Sequence, residues 1–356
     1  MNNRVNFINT IKFSGAYIAF IIGSGFATGQ EIMQFFTANG LYSIGSIIIS
    51  LILFTYIGRT IMECGFDYGS SKKYSPYKYF CGETIGVFYE FFVPILLFIS
   101  VIVMISGSGA TFEEYYGLNY YIGCAVMALL VLVAFLGGLE SVINIIGFIG
   151  PVIVIFSLVV GFVILFQNIE GLKNISDTIN IINMQKPGGN WIKSAVIYAS
   201  YNIVGGLFFF TSLGNSAQQR KEATYGAIIG SCVLMLVILV MNLALLCKIK
   251  DVYQLAIPTL YFAKSISPFF GKIFSIVLLC GIFSTAAPNF WTVCDKISKG
   301  HEGKVKIIAI VLSVIAFFCG LFPFEKLVKS LYPCEGILGI LLFACIFLKQ
   351  IRKRII

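Results

Sequence analysis

The sequence predicts an all-α polytopic membrane protein with ten transmembrane helices. Of its 356 residues, 58% are hydrophobic and only 12% are charged, whereas a soluble domain carries roughly 25% charged residues. Apolar runs also recur along the whole chain, each close to the roughly 20 residues that a helix needs to cross a bilayer. Membrane lipid is therefore the expected solvent of most of this chain.

The predicted spans follow one another with mostly short polar connections. The first apolar run starts after Arg4 and Lys12 and leads directly into a polar interruption, so we expect a retained helix and not a cleaved signal peptide. The spans are expected near residues 11–37, 40–62, 85–108, 120–137, 141–166, 191–213, 223–247, 269–292, 305–322 and 328–348.

The basic residues predict the orientation. When the spans are threaded alternately, most of the 25 Lys and Arg residues fall on the side of the N-terminus. Cytoplasmic loops carry such an excess, so we expect a multi-pass protein of the bacterial cytoplasmic membrane with both termini in the cytoplasm. The net charge of +9 is explained by these loops and indicates no nucleic-acid partner.

Other function classes find little support in the sequence. Most of the ten cysteines lie inside apolar runs, where cysteine acts as a small hydrophobic residue. No cysteine pair has metal-ligand spacing with His301, the only histidine. The chain has no nucleotide-binding loop and no nucleophile–base pair, so we expect neither an enzyme nor an organic cofactor.

The ten spans divide into two sets of five. Residues 1–166 are expected to form the first five-helix repeat, and residues 191–356 the second repeat with a cytoplasmic tail. The segment 167–190 is expected to be an extracellular connecting loop. Since five is odd, the second repeat enters the membrane with opposite polarity, which is the topology of an inverted repeat.

Each half carries a glycine cluster about ten residues into its first span. The first half opens "SGAYIAFIIGSGFATGQ", with Gly23 and Gly25, and the second opens "SAVIYASYNIVGGLFFFTSLG", with Gly205 and Gly206. We expect spans 1 and 6 to be broken there, because interrupted helices at matched positions of two repeats mark the binding site of many transporters. Close packing of helices on small residues is the alternative explanation.

A break in span 1 would place backbone groups at mid-membrane. A half-helix beginning near Phe26 would present free N–H groups to an anion such as a carboxylate. A half-helix ending near Ile22 would present carbonyl groups to a cation or an ammonium group. Unpaired backbone groups are costly in lipid, so such a break persists only where a ligand or other protein groups satisfy them.

The Gly23-Ser24-Gly25 triplet resembles the first-helix motif of the amino acid–polyamine–organocation (APC) superfamily of transporters, which have a five-plus-five inverted-repeat fold of the LeuT type. The longer stretch "GSGFATGQEIMQFF" is similar to the YkvI-type bacterial membrane proteins. The resemblance implies alternating access, with spans 1, 2, 6 and 7 moving against the others, and an amino acid or related small zwitterion as substrate. The backbone triplet would hold its carboxylate and the unwound carbonyls of spans 1 and 6 its amine. The substrate-binding residues implied are Gly23, Ser24, Gly25, Tyr201, Asn202, Gly205 and Gly206.

Span 8 contains "CGIFSTAAPNFW", in which Ser284 and Thr285 are adjacent hydroxyls in an apolar helix. The same resemblance implies a Na⁺ site made by this pair together with three backbone carbonyls, those of Ala19, Ile22 and Gly281. Some relatives replace the ion with a lysine in span 5, which has no lysine or arginine here. Hydrogen bonds from the hydroxyls back to their own helix are the alternative.

Three acidic residues are expected in the spans, where ionisable groups are costly and commonly functional, and one of them, Glu90, starts span 3 near the inner interface. Glu31 follows the break in span 1, and Glu335 lies in span 10 within "YPCEG". Either residue could carry a proton, serve as a gate or pair with a polar neighbour. The sequence thus predicts a secondary transporter, with sodium-coupled symport as the main hypothesis. A proton-coupled transporter, a ligand-sensing receptor of the spore germinant receptor type and a channel-like pore are the alternatives.

Overall fold

The computed structural model describes residues 6–71, 75–137, 139–182, 184–298 and 302–355; His301 lies outside these ranges. Within them the chain forms helices and connecting turns, without a strand. The α-helices are, in chain order, α1 (Phe7–Ile21), α2 (Ser24–Thr28), α3 (Gln30–Phe35), α4 (Ser43–Tyr68), α5 (Pro76–Tyr116), α6 (Tyr120–Gly137), α7 (Leu139–Gln167), α8 (Ile175–Ile182), α9 (Trp191–Asn215), α10 (Arg220–Cys247), α11 (Ile249–Val252), α12 (Pro258–Ile266), α13 (Pro268–Ser298), α14 (Glu302–Gly320) and α15 (Phe324–Ile355).

The predicted membrane crossings are confirmed. Among the described residues, eight helices are long and apolar enough to cross a membrane, and two shorter apolar helices, Phe7–Ile21 and Val305–Gly320, accompany them. Each of these ten segments overlaps one of the ten predicted spans. The five-plus-five arrangement follows, and spans 1 to 10 are α1 with α2–α3, α4, α5, α6, α7, α9, α10, α13, α14 and α15.

The spans pack as two groups with a boundary between them. In the first group, α4 packs against α9 and α10, and α1 packs against α10. In the second group, α5 packs against α6 and α13, and α14 contacts all three of these helices. The remaining spans bridge the two groups, since α7 contacts both α10 and α13, and α15 contacts both α9 and α5.

The predicted break in span 1 is confirmed. Helix α1 ends at Ile21, and Ile22 and Gly23 adopt extended backbone conformations. The N–H of Gly23 bonds the carbonyl of Ile21 at 3.0 Å, two residues back, and so leaves the i−4 pattern of the helix. A second interruption follows at Gly29, whose φ of 85° suits glycine.

The predicted break in span 6 is wrong, because α9 runs as one continuous helix from Trp191 to Asn215. Gly206 serves close packing: a Cβ at this position would lie 2.7 Å from Phe20 Cε1 and from Phe210 Cε2. Gly205 has open space, with Leu97 Cδ2 at 3.9 Å as the nearest neighbour of such a Cβ. Glycine in a helix costs only about 1 kcal/mol relative to alanine, so packing of the surrounding helices keeps α9 intact.

Close packing also fixes the position of Glu335 in span 10. A Cβ at the next residue, Gly336, would lie 2.6 Å from the carbonyl oxygen of Ile197, so α15 and α9 meet backbone to backbone. Ser200 Oγ donates a hydrogen bond of 2.6 Å to the carbonyl of Gly336 across the same contact. Glu335 is thereby held at the junction of spans 6 and 10.

The connecting segments carry short helices of their own. The stretch 167–190, predicted as a loop, contains the 3₁₀ helix Ile169–Asn174 and helix α8. The connection between α10 and α13 contains α11 and α12, which the sequence reading did not predict. Helix α12 packs against α13, α7 and α2, so it lies over the second half of span 1.

Candidate functional site

A cavity of about 110 Å³ lies where the break in span 1 meets α5, α9, α13 and α15. This volume leaves room for several water molecules or one small solute. The cavity is lined by Phe20, Ile21, Gly23, Glu31, Leu96, Leu97, Ser100, Met104, Tyr201, Asn202, Val204, Gly205, Thr285, Asn289, Tyr332 and Glu335.

The structure brings seven of the predicted site residues together around this cavity. They come from four different spans and are Gly23, Glu31, Tyr201, Asn202, Gly205, Thr285 and Glu335. Six others lie behind the lining: Ala19, Ile22, Gly25, Gly206, Gly281 and Ser284. The side chain of Ser24 lies outside the described part of the structure.

Glu31 lies directly against the glycine motif of span 1. A Cβ at Gly25 would lie 2.7 Å from Glu31 Cγ and 2.8 Å from its carboxyl carbon, so the side chain fills the space beside the bare Cα. The carboxyl faces the backbone N–H of Phe26 and the hydroxyl of Tyr201. A carboxyl group of the protein therefore lies where the sequence predicts the carboxylate of a substrate.

The carboxyl of Glu31 is buried without being fully paired. The residue is 3% exposed, and its Oε2 makes no hydrogen bond within the described residues. The same holds for the hydroxyls of Tyr198 and Tyr201. Buried polar atoms in membrane proteins are normally satisfied, so these atoms leave hydrogen-bonding capacity beside the cavity.

Glu335 adds a second carboxyl to the same cavity. It is 7% exposed, and its Oε1 has no hydrogen-bond partner in the described part of the chain. Glu31 and Glu335 are close enough to interact electrostatically. Among the described residues, Lys, Arg and His are absent from the cavity lining, so two acidic groups share this lining without a described basic side chain.

Aromatic rings close one end of the cavity. The ring of Tyr201 stacks on that of Tyr332, with centroids 4.9 Å apart, and on that of Phe35 at 5.6 Å. Tyr198 packs against Phe36 and Phe54 behind them. These rings separate the cavity from the side of the membrane on which α5 ends and α15 begins.

Exposure increases toward the opposite end, on the side where α1 begins. Phe20, Leu97 and Asn289 are only half-buried there, whereas Glu31 and Glu335 themselves are buried. Asn289 Nδ2 donates a hydrogen bond of 3.2 Å to Ser100 Oγ, which joins α13 to α5 at this end. The cavity thus has buried aromatic rings at one end and half-buried side chains at the end toward the start of α1.

The segment around α12 covers the closed side. Thr259 Oγ1 donates to the carbonyl of Ala27 at 2.6 Å, and Gln30 Nε2 donates to the carbonyl of Leu255. The carboxylate of Glu114, at the end of α5, accepts hydrogen bonds from the backbone N–H groups of Ala256 at 2.7 Å and Ile257 at 3.0 Å. This lid, residues 255–266, is thus bonded both to span 1 and to span 3.

The hydroxyl pair of span 8 faces a shared carbonyl. Ser284 Oγ and Thr285 Oγ1 both donate to the carbonyl oxygen of Gly281, at 2.8 and 3.3 Å. A Cβ at Gly23 would lie 3.9 Å from Thr285 Oγ1, so the pair is next to the break in span 1. Both hydroxyl hydrogens are donated to a carbonyl of the same helix, so the lone pairs of both oxygens remain available to other groups.

The sequence predicted a site between spans 1, 3, 6 and 8 but identified no residue of span 3 for it. Leu96, Leu97 and Met104 read as ordinary core residues, and Ser100 is the only polar signal among them. The lid was also missed, although Pro258 directly before an apolar run is typical of a helix beginning. Tyr332 belongs to the "YPCEG" stretch of span 10, from which the sequence predicted Glu335 but not Tyr332 as a site residue.

Comparison with known proteins identifies sequence relatives and structural neighbours of this chain. A scan against models of known protein families finds no match. The chain is similar to the uncharacterized membrane protein YkvI of Bacillus subtilis (strain 168), with 25% identity over 95% of each chain. It is also 25% identical to the uncharacterized protein YyaD of the same organism, over 94% of this chain and 95% of YyaD. The resemblance to YkvI-type proteins predicted from span 1 is confirmed.

Solved structures show the fold. A manganese transporter of Eremococcus coleocola superimposes with a TM-score of 0.55 at 14% identity, covering 94% of this chain and 77% of the transporter. Mhp1, a nucleobase-cation-symport-1 family transporter, gives a TM-score of 0.56 at 13% identity, covering 93% of this chain and 77% of Mhp1. The chain is a multi-pass membrane protein with the LeuT-type fold of these transporters.

Proposed function

We propose that this protein is a secondary active transporter that moves a small solute with a positively charged nitrogen across the cytoplasmic membrane of a bacterium. The observation that carries the proposal is the cavity at the break in span 1, which is lined by Glu31 and Glu335 and by no basic side chain of the described residues. Buried carboxyl groups favour a cationic partner, and ionisable groups inside a membrane commonly mark a transport pathway.

The mechanism we propose is alternating access. The cavity lies between the group of spans 1, 2, 6 and 7 and the group of spans 3, 4, 8 and 9. Its half-buried side chains lie toward the start of α1, while the lid and the aromatic rings cover the other side. With both termini in the cytoplasm, as the basic loops predict, this arrangement corresponds to an inward-facing carrier.

The substrate predicted from the sequence is an amino acid or related small zwitterion. Its ammonium group would lie near Glu31 and Glu335, with Tyr201, Asn202 and Gly205 around it. Gly23 and Gly205 lack side chains that would fill the cavity, since a Cβ at either position meets no neighbour closer than 3.5 Å. Gly206 acts behind this lining through helix packing.

Na⁺ is the coupling ion we propose, held by Ser284, Thr285 and the carbonyls of Ala19, Ile22 and Gly281. Hard cations are bound by oxygen ligands such as hydroxyls and backbone carbonyls. The departure of the Gly23 N–H from the helical pattern supports this assignment, because it releases the carbonyl of Ala19 from that bond. The hydroxyls of Ser284 and Thr285 bond back to Gly281 of their own helix, as the alternative expects, and only the lone pairs of their oxygens remain for an ion.

Proton coupling is the second candidate. The observation that favours it is the pair of unpartnered carboxyl oxygens on Glu31 and Glu335, since each can accept a proton from the cavity. In this case the two residues would carry the coupling ion themselves, and Ser284 and Thr285 would only bond to their own helix.

Uptake into proteoliposomes tests the proposal. Radiolabelled amino acids and amines are offered with an inward gradient of Na⁺, of protons, or of neither. Saturable uptake that a gradient drives above equilibrium supports a coupled transporter, and the effective gradient identifies the ion. Specific binding without uptake would instead indicate a receptor, and flux that follows only the solute's own gradient without saturation would indicate a pore.

A further inference from the structure

Glu31 fills the position that the substrate carboxylate is expected to occupy. Its Cγ and carboxyl carbon lie within 2.8 Å of the site of a Cβ on Gly25, and its carboxyl faces the N–H of Phe26. A second carboxylate cannot share this space without steric overlap and repulsion between like charges. An amino acid could bind by its carboxylate only after Glu31 has moved away.

The surroundings hold Glu31 in this place. Gly25 provides the room for it, and the whole segment from Gly25 to Phe36 is buried. Gly29, with φ 85°, connects α2 to α3 in a tight turn, so Glu31, the second residue of α3, lies directly beside Gly25. The neighbouring Gln30 is bonded to the lid, which fixes the start of α3 on its outer side.

The side chains around the cavity indicate the charge of the ligand that it binds. Glu31 and Glu335 face a common cavity and each leaves one carboxyl oxygen without a hydrogen-bond partner. The Tyr201 hydroxyl faces the carboxyl of Glu31, and the stacked rings of Tyr201 and Tyr332 present aromatic surface near the carboxyls. Paired carboxyls and aromatic rings together suit an ammonium group, which binds by charge-assisted hydrogen bonds and by cation–π attraction.

We infer that Glu31 replaces the carboxylate of an amino acid substrate, and that the cavity takes a small primary amine without an α-carboxylate, bound between Glu31 and Glu335. The inference rests on the proposed transport function and narrows its substrate class.

Matched pairs of ligands test this inference on the purified full-length protein. Binding is measured by isothermal calorimetry for alanine and ethylamine, serine and ethanolamine, leucine and isopentylamine, and ornithine and putrescine, and uptake of the labelled compounds is measured in proteoliposomes. We expect at least one amine to bind about tenfold or more tightly than its amino acid, because the amino acid carries the excluded carboxylate.

Variants separate the role of Glu31 from a purely structural one. Glu31→Gln and Glu335→Gln keep the shape of the side chain and are each expected to weaken amine binding by about tenfold or more. Glu31→Ala vacates the space beside Gly25, so it should weaken amine binding and strengthen binding of the matching amino acid. Glu113→Gln, an exposed residue outside the cavity, is the control and should bind like the wild type. Thermal unfolding verifies that each variant is folded.

The outcomes distinguish this inference from the proposed function. Tighter binding of amino acids than of amines by the wild type, or an unchanged preference in Glu31→Ala, would overturn the inference and leave a transporter of zwitterions. Absence of both binding and uptake for every amine and amino acid would overturn the proposed function and the inference with it.

Discussion

The side chain of Glu31 lies in the space where a Cβ of Gly25 would otherwise be, with 2.7 Å between Glu31 Cγ and that position. The two residues are only six apart in the chain, and the turn at Gly29 brings them into contact. The glycine motif of span 1 is therefore matched to an internal carboxyl group, and neither residue can change without affecting the other.

Gly25→Ala tests this relationship. The added methyl group should displace Glu31, lower the free energy of unfolding by about 1–3 kcal/mol through overpacking, and weaken ligand binding by about tenfold or more. Thermal unfolding and calorimetry measure the two effects. The double variant Gly25→Ala, Glu31→Ala relieves the overlap and should regain much of the stability without regaining amine affinity. Wild-type ligand affinity in Gly25→Ala would contradict the assignment.

The two adjacent glycines of α9 should respond differently to the same substitution. Gly206→Ala places a methyl group against Phe20 and Phe210, so we expect about 1–3 kcal/mol of destabilisation. Gly205→Ala meets open space and replaces a helical glycine, so its stability should be unchanged or slightly higher. Because Gly205 lines the cavity, that variant should still bind ligand more weakly. Equal melting temperatures for the two variants would show that α9 is not packed as described.

The proposed Na⁺ site predicts a loss of ion response. In the double variant Ser284→Ala, Thr285→Ala, thermal stabilisation by Na⁺ relative to K⁺ should disappear, and uptake should no longer depend on a Na⁺ gradient. Thr292→Ala is the matched control, since its hydroxyl bonds the carbonyl of Pro288 four residues earlier in the same helix and lies outside the cavity lining. A sodium response retained by the double variant would place the ion elsewhere, and no response in the wild type would favour protons.

The lid depends on Glu114, which accepts two backbone hydrogen bonds from it. Glu114→Ala should increase the hydrogen-exchange rate of amides in residues 256–266 by about tenfold or more, because hydrogen bonds to a charged group stabilise by roughly 1.5–3 kcal/mol. The neighbouring Glu113→Ala is the control, since among the described residues the hydrogen bonds to Ala256 and Ile257 come from Glu114 and not from Glu113. Equal exchange in the two variants would mean that Thr259 and Gln30 suffice to hold the lid.

The spans could be read from sequence because lipid imposes a simple requirement. Each crossing needs a long apolar helix that satisfies its own backbone hydrogen bonds. Such a helix is recognisable in the sequence as a long run of apolar residues. The break in span 1 was visible for a related reason, since Gly23, Gly25 and Gly29 stand beside polar residues in an apolar run. In span 6 the same signal misled, because Gly205 and Gly206 look alike in sequence while only packing distinguishes them.

The candidate site, too, could be predicted from the sequence only in part. Glu31 and Glu335 were recognisable as costly residues inside the membrane, and the hydroxyl pair of span 8 was recognisable from its position in an apolar helix. Their mutual placement was not, because it depends on how α3, α9 and α15 pack. The residues of span 3 were missed because lining a cavity leaves no special mark on apolar side chains such as Leu97 and Met104.

The sequence by itself determined that this chain crosses the membrane ten times and that span 1 is interrupted, since both properties follow from local composition. Only the tertiary structure decided what fills the interruption. The contact between Glu31 and Gly25, and the approach of Glu335 from a span some 300 residues later, are set by backbone geometry and helix packing. These are relations between surfaces, and composition along one helix does not encode which surfaces meet.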